Sequence, residues 1–240
     1  LPVYASLMRY DSPKDVAGAC KGFVAQGFTM LKLHQTDVAS VRAAREAVGP
    51  SVELMLDVNC PWTPAEAIGM ARALAPYRLF WFEEPVWPPE DYTGLAEVAR
   101  ATDTPIALGE NESTLYGFRE IVERRAGDIL QPSITKVGGI TEFKKIAALA
   151  QAANMPIAPH SFYFGPGLAA TLHVAATLGG AMPVEFPTGE HETSFLARPI
   201  EAHDGRVEVP TGPGLGVEIN EEAIRRHPYA ASGAKPFVLH

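Results

Sequence analysis

Three apolar runs in the middle of the chain each end in a carboxylate. VELMLDVN (52–59), LFWFEEP (79–85) and PIALGEN (105–111) deliver Asp57, Glu83 and Glu110, roughly 26 residues apart each time. That period is the length of one strand, one helix and two short loops, so it predicts a strand-helix alternation around a parallel sheet. An unbroken apolar run of this length reads as a strand covered on both faces. A charge at the end of such a strand must be paired, protonated or bound to a metal. No Lys or Arg adjoins any of the three acids in sequence. Three acids at one height on neighbouring strands suit a hard divalent cation, Mg²⁺ before Ca²⁺, with water or substrate completing an octahedron. The competing reading, ordinary strand-end acids facing solvent, does not account for the matched spacing.

The alternation continues in both directions. Strand one is expected over 3–8, a helix capped by Ser12-Pro13 runs to about Gly27, and strand two covers 28–34. A second helix runs from Asp37 to Gly49-Pro50, and Thr63-Pro64-Ala65-Glu66 is a capping box opening a third. Helices four, five and six are expected over 90–101, from Thr114 to before Gly127, and over 141–153, with strand six at 128–134. Strand seven is PIAPH (156–160), helix seven lies in GPGLAATLHVAATLGG, and strand eight is MPVEF (182–186). Eight strands and seven helices make a modified TIM barrel, (β/α)7β, over residues 1–186. The 240 residues suit one such barrel, typically about 250 long. From 187 to 240 the pattern becomes an irregular C-terminal extension, with a hairpin turning at Asp204-Gly205 and a short helix opened by Asn220.

In such barrels the site lies at the C-terminal ends of the strands. The polar residues expected there are Lys32 and His34, Asp57 and Asn59, Glu83 and Glu84, Glu110 and Asn111, Ser133 and Lys136, His160, and Glu185. Lys32 and His34, two apart in a strand, share a face, with Leu31 and Leu33 on the other. A Lys beside a bound metal is pushed toward use as a base, and His is near neutrality already. The competing reading for Lys32 is simple charge balance across the barrel. His160 ends strand seven, opposite strand two, which points to a catalytic role. Glu185 either works on the substrate or forms a salt bridge to a barrel neighbour. A divalent metal holding a substrate carboxylate, with bases on opposite faces, suits removal of the α-proton through an enediolate.

Composition narrows the alternatives. The net charge of −8, with Lys and Arg dispersed, offers no basic patch for nucleic acid. No apolar run reaches the roughly 18 residues of a membrane span, and the two cysteines, Cys20 and Cys60, imply no disulfide framework and a reducing, cytoplasmic setting. Gly165-Pro166-Gly167 reads as a turn into helix seven, so a phosphate-binding aldolase-type barrel is disfavoured.

The ordered set resembles the enolase superfamily, in its mandelate racemase and muconate lactonizing enzyme branch. The matching elements are Lys32-x-His34, Asp57-x-Asn59, Glu83-Glu84-Pro85, Gly109-Glu110-Asn111, Lys136-x-Gly138-Gly139, His160 and Glu185. The resemblance implies Mg²⁺ held by Asp57, Glu83 and Glu110, a small-molecule carboxylate substrate and a symmetric homo-oligomer. It also implies an N-terminal capping domain that this chain lacks. Because the chain opens inside strand one, it is expected to be a fragment whose extension packs on that cap. Two positions depart from the pattern. His34 stands where a second lysine is usual, and Ser133 replaces an Asp that pairs with the strand-seven His in racemase-like members. A hydroxyl orients an imidazole without stabilising imidazolium, so His160 is expected to be the weaker base. Dehydration of an acid sugar, which needs one base and one acid, is therefore expected. Racemisation or epimerisation of a hydroxy or amino acid, and a catalytically silent metal-binding paralogue, are the alternatives. The absence of Asp-x-Asp on strand eight argues against dipeptide epimerisation.

Overall fold

The computed structural model describes residues 1–179, 182–189 and 191–228. The tail of the expected extension, 229–240, lies outside the described residues. Seven parallel strands form one curled sheet: β1 (Val3–Ser6), β2 (Met30–Leu33), β3 (Glu53–Asp57), β4 (Trp81–Glu83), β5 (Ile106–Leu108), β6 (Ile129–Leu130) and β7 (Val184–Pro187). Their order is β6-β5-β4-β3-β2-β1-β7. The alternating helices are α1 (Pro13–Ala25), α2 (Val38–Val48), α3 (Pro64–Leu74), α4 (Tyr92–Ala101), α5 (Leu115–Arg124), α6 (Ile140–Ala152) and α7 (Pro166–Ala175).

The helix starts follow from their caps. Ser12 and Thr63 each accept a backbone N–H from the first turn, with Pro at the next position, and Glu66 completes the capping box at Thr63. Each such cap is worth ~1 kcal/mol of helix stability.

The expected seventh strand is reduced. Residues 157–160 touch the sheet only through isolated parallel bridges, Leu130 with Ile157 and Ser133 with His160. Pro156 and Pro159 supply no backbone N–H, so a continuous ladder cannot form there. The segment still completes the ring, because Met182 N–H donates to the Ile157 carbonyl at 3.3 Å and leads into β7, the expected strand eight. Strand five also differs, ending at Leu108 rather than at Glu110. Gly109 has φ +115°, outside the strand region, and its N–H turns to the Glu84 side chain.

The strands alternate strictly. Val3, Ala5, Leu31, Leu33, Leu54, Leu56, Phe82, Ile106, Leu108, Leu130 and Val184 face outward into the apolar shell beneath the helices. Tyr4, Met55, Trp81, Ala107, Ile129 and Ala158 fill the barrel interior as one layer, with Tyr4 edge-on to Trp81 at 5.5 Å. Two residues farther along β1, β3 and β4 come Ser6, Asp57 and Glu83, joined by Lys32 of β2 and Glu185 of β7, all at most 1% exposed. The apolar layer is the floor of a polar mouth.

The hairpin of β8 (Ala202–His203) and β9 (Arg206–Val207) turns at Asp204-Gly205 as expected. It docks on the start of β1, through Val3 N–H to Gly205 O and Val207 N–H to Leu1 O, both 2.9 Å. That is the end of the barrel opposite the mouth. The terminal helix α8 (Glu221–Arg226) is capped by Asn220.

Candidate metal centre and active site

The register explains why the acids meet. Asp57 is the direct partner of Glu83 across the β3–β4 ladder, and the turn at Gly109 brings Glu110 back toward them. One oxygen from each of Asp57, Glu83 and Glu110 lies within 4.8 Å of the others. Three buried carboxylate oxygens so gathered form the donor set a hard divalent cation takes.

Lys32 stands under this cluster, fully buried, with Nζ 2.8 Å from Glu83, 2.8 Å from Glu185 and 3.4 Å from Asp57. Burial works against its charge, yet Glu185 and Glu83 outweigh burial and hold the ammonium well above its ordinary pKa. Three carboxylates close on this one ammonium group, the charge balance across the barrel that stands as the competing reading for Lys32. Glu185 accepts from Ser6 Oγ and from the Ser161 backbone N–H, each at 2.7 Å, and is fully buried. Burial opposes its charge, but Lys32 and then His160 bring its carboxyl down to about 2. Of the two readings for Glu185, the geometry supplies the salt bridge.

The remaining acids show a shortage of positive charge. Burial raises Glu83 well above the usual carboxylate range, with Lys32 pulling against it and Asp57 and Glu185 adding to it. Its second oxygen accepts Trp81 Nε1–H at 2.7 Å. Asp57 goes the other way. Burial opposes its charge, but Lys32 and His34 more than compensate and hold it below the usual range. Its other oxygen accepts the Asn59 backbone N–H at 2.9 Å, so Asn59 contributes its main chain. Burial and then Glu110 push Glu84 up to about 7. Glu84 binds Gly109 N–H at 2.9 Å and Cys60 Sγ at 3.1 Å, tying together the loops after β3, β4 and β5. Asn111 Nδ2 donates to Cys60 Sγ at 3.9 Å. Lys136, half-exposed, lies 3.4 Å from Glu110. Five carboxylates thus share two ammonium groups, Lys32 and Lys136, and an added divalent cation would offset most of the excess.

The two histidines flank the acids. His34 Nε2 is 3.2 Å from Asp57 Oδ2, and its Nδ1 faces the Leu7 carbonyl. His160 Nε2 is 3.3 Å from Glu110 Oε2 and 3.9 Å from Glu185 Oε2. His160 Nδ1 lies 3.1 Å from Ser133 Oγ, the pairing expected from the position of Ser133. Residues not singled out from sequence complete the mouth. Tyr163 hydrogen-bonds Ser133 and Thr135 and packs edge-on to His160, while Phe162 packs edge-on to His34 at 6.0 Å. The aromatic run Phe162-Tyr163-Phe164, one residue beyond His160, was the available signal.

Comparison with known proteins agrees with this geometry. A family model described as enolase C-terminal domain-like matches residues 15–223. The chain belongs to that family. Within the enolase family, it is similar to the 3,6-anhydro-alpha-L-galactonate cycloisomerase of Streptomyces coelicolor, 36% identical over 94% of this chain and 63% of the relative. It also resembles the D-xylonate dehydratase of Haloferax volcanii, 33% identical over 81% of this chain and 47% of that one. Among solved structures, a racemase from Streptomyces coelicolor A3(2) with bound magnesium superposes with TM-score 0.85 and 36% identity, over 94% of this chain and 62% of that chain. The chain therefore spans less than two thirds of each of these relatives. Family membership and the Asp57-Glu83-Glu110 cluster together indicate a divalent metal. No helix among the described residues is long and apolar enough to cross a membrane.

Proposed function

We propose that this chain carries the catalytic barrel of a Mg²⁺-dependent enzyme that removes the α-proton of a hydroxy carboxylate and expels the β-oxygen, dehydrating an acid sugar. The observation that carries the reading is the pair of imidazoles on opposite sides of one acid cluster, His34 against Asp57 and His160 against Glu110. Asp57, Glu83 and Glu110 would hold the ion, and the magnesium in the racemase structure supports its identity. Bound there, Mg²⁺ would supply Lewis-acid stabilisation of the charge that develops on the substrate carboxylate as the α-proton leaves.

The protein groups divide the remaining work. The Leu7 carbonyl can only accept, so His34 Nδ1 carries a proton, and Nε2, which faces Asp57 Oδ2 at 3.2 Å, is the nitrogen that would exchange a proton with the substrate. His160, across the mouth, returns a proton to the departing oxygen. Lys32, held ionised by Glu83 and Glu185, keeps a fixed positive charge beneath the reacting carboxylate. Lys136, on the open side of Glu110, is placed to meet the substrate's anionic end. Phe162 and Tyr163 narrow the mouth between the two imidazoles and limit water there.

The cycloisomerase relative supports a second reading by the same chemistry. In a 3,6-anhydro acid the β-oxygen belongs to a ring, so its cleavage opens the ring and releases no water. Incubation with Mg²⁺ and a panel of sugar acids and anhydro-sugar acids in D₂O, followed by mass spectrometry, separates these outcomes. Loss of water with a 2-keto-3-deoxy product establishes dehydration. An isomer of equal composition establishes cycloisomerisation. α-Deuteration alone points to racemisation or epimerisation, and no exchange with the metal bound favours a silent paralogue and ends the proposal.

A further inference from the structure

We propose that Tyr163 is a positioning residue for His160, acting through Ser133 to keep the proton of the neutral imidazole on Nε2. The observations are a continuous chain of hydroxyls and one close contact. Thr135 Oγ1 donates to the Tyr163 hydroxyl, the Tyr163 and Ser133 hydroxyls are bonded to each other, and Ser133 Oγ lies 3.1 Å from His160 Nδ1. The Tyr163 ring stands edge-on to the imidazole at 5.7 Å and 88°.

The direction of the chain follows from what each end can do. His160 Nε2 faces oxygens of Glu110 at 3.3 Å and Glu185 at 3.9 Å, and carboxylates only accept. The proton of the neutral ring therefore belongs on Nε2, which leaves Nδ1 as a bare acceptor. Ser133 must then donate to Nδ1, and its oxygen accepts the Tyr163 proton. The Tyr163 oxygen is in turn free to accept from Thr135. Each hydroxyl donates once, and no donor is left over. A carboxylate at position 133 would accept from Nδ1 while Glu110 still accepts from Nε2, so the ring would carry a proton on both nitrogens.

The segment is built for this approach. A Cβ at Gly167 would lie 3.1 Å from both Thr135 Cγ2 and Tyr163 Cγ, so glycine lets α7 start this close to the relay without displacing either side chain. Tyr163 N–H also bonds to the Ser161 carbonyl at 2.8 Å, turning the ring back over His160. His34 differs at Nδ1, where the Leu7 carbonyl holds a proton, while its Nε2 faces Asp57 Oδ2 at 3.2 Å. The two imidazoles thus differ at Nδ1, protonated in His34 and a bare acceptor in neutral His160. The use of His34 as base and His160 as acid rests on the elimination reading above, whereas the His160 tautomer itself does not.

The test is ¹⁵N NMR of histidine-labelled protein with Mg²⁺, assigned by subtraction with His160→Asn. The expected wild-type pattern is a pyridine-like Nδ1 and a pyrrole-like Nε2 for His160. Tyr163→Phe, which keeps the ring and its packing, should mix the two tautomers, and Ser133→Asp should give two pyrrole-like nitrogens, the imidazolium pattern. On any substrate that is turned over, Tyr163→Phe should lower kcat roughly ten-fold with KM within about two-fold. Ser133→Thr, which restores a hydroxyl, should keep both the wild-type tautomer and the rate. A protonated Nδ1 in the wild type, or a pattern unchanged in Tyr163→Phe, overturns the proposal. The expected NMR pattern with no turnover of any acid would leave the positioning role standing and remove the functional reading instead.

Discussion

The two sides of the barrel mouth are built differently. On one side, Lys32, Asp57 and Glu83 sit on consecutive ladders, with Lys32 opposite Met55 and Asp57 opposite Glu83. On the other, His160 and Ser133 meet through one isolated bridge, and their surroundings come from the loop that carries Tyr163. The ladder side fixes charges by register, to within the spacing of strands. The loop side sets a proton's position by hydroxyl orientation, at little cost in backbone order. Changes on the first side should therefore register mainly as lost stability, and changes on the second mainly as lost turnover.

Lys32→Met should give the largest effect. It removes the ammonium shared by Glu83 and Glu185 and strands both carboxylates without exposure. Breaking a buried ion pair from one side costs ~3–5 kcal/mol, read by chemical denaturation in EDTA. Adding Glu185→Gln should recover part of that loss, because one stranded charge disappears. A single variant as stable as the wild type would show that the acids were already protonated and that Lys32 does not balance them.

Metal addition should come next. With saturating Mg²⁺ at about 100 times its Kd, ligand linkage predicts ~2.7 kcal/mol of added stability. Asp57→Asn and Glu110→Gln should each weaken or abolish that rise in melting temperature, whereas Ser133→Ala should leave it intact. An equal metal response in the two acid variants would break the assignment of the ladder side as the metal centre.

Glu84 offers a smaller, pH-dependent test. Its folded value, about 7, lies above the ordinary 4.5 because of burial and then Glu110. Between those values the folded state keeps a proton that the unfolded state has released, so this contribution to stability falls as pH rises through the window. Glu84→Gln can still accept from Gly109 N–H and has no charge to bury. In metal-free protein the variant should match the wild type near pH 5 and exceed it by ~1–3 kcal/mol at pH 8. A difference independent of pH would remove the titration argument.

Legibility in the sequence follows the same division. Apolar runs, caps and the repeat spacing located the strands and helices that carry Lys32, Asp57 and Glu83, because a period of two in a buried strand leaves few alternatives. The reduction of 157–160 was written in Pro156 and Pro159, though PIAPH reads as an ordinary apolar strand. The end of β5 was misplaced by two residues because the turn at Gly109 depends on a contact with Glu84, which no local pattern encodes. The hairpin was visible, but its docking on the start of β1 is a long-range pairing. Tyr163 was marked in sequence by the aromatic run 162–164, but its tie to Ser133 was not legible, since a loop tyrosine has no periodicity and that partner lies 30 residues away.

The smallest expected change in stability, and the most direct contrast between the two sides, comes from Gly167→Ala. The new methyl would meet Thr135 Cγ2 and Tyr163 Cγ at 3.1 Å, and both side chains must give by a few tenths of an ångström. Overpacking in a rigid core costs ~1–3 kcal/mol. Here Thr135 is exposed and Tyr163 half-buried, so the strain can relax by moving the ring and the cost in denaturation should stay at or below ~1 kcal/mol. The same movement lengthens the Tyr163–Ser133 bond and loosens His160, so turnover should fall several-fold with the Mg²⁺ response unchanged. If stability instead drops as far as in Lys32→Met, the loop is as rigid as the ladders and the contrast between the two sides fails. If neither stability nor turnover moves, the close approach of Gly167 has no part in holding the imidazole.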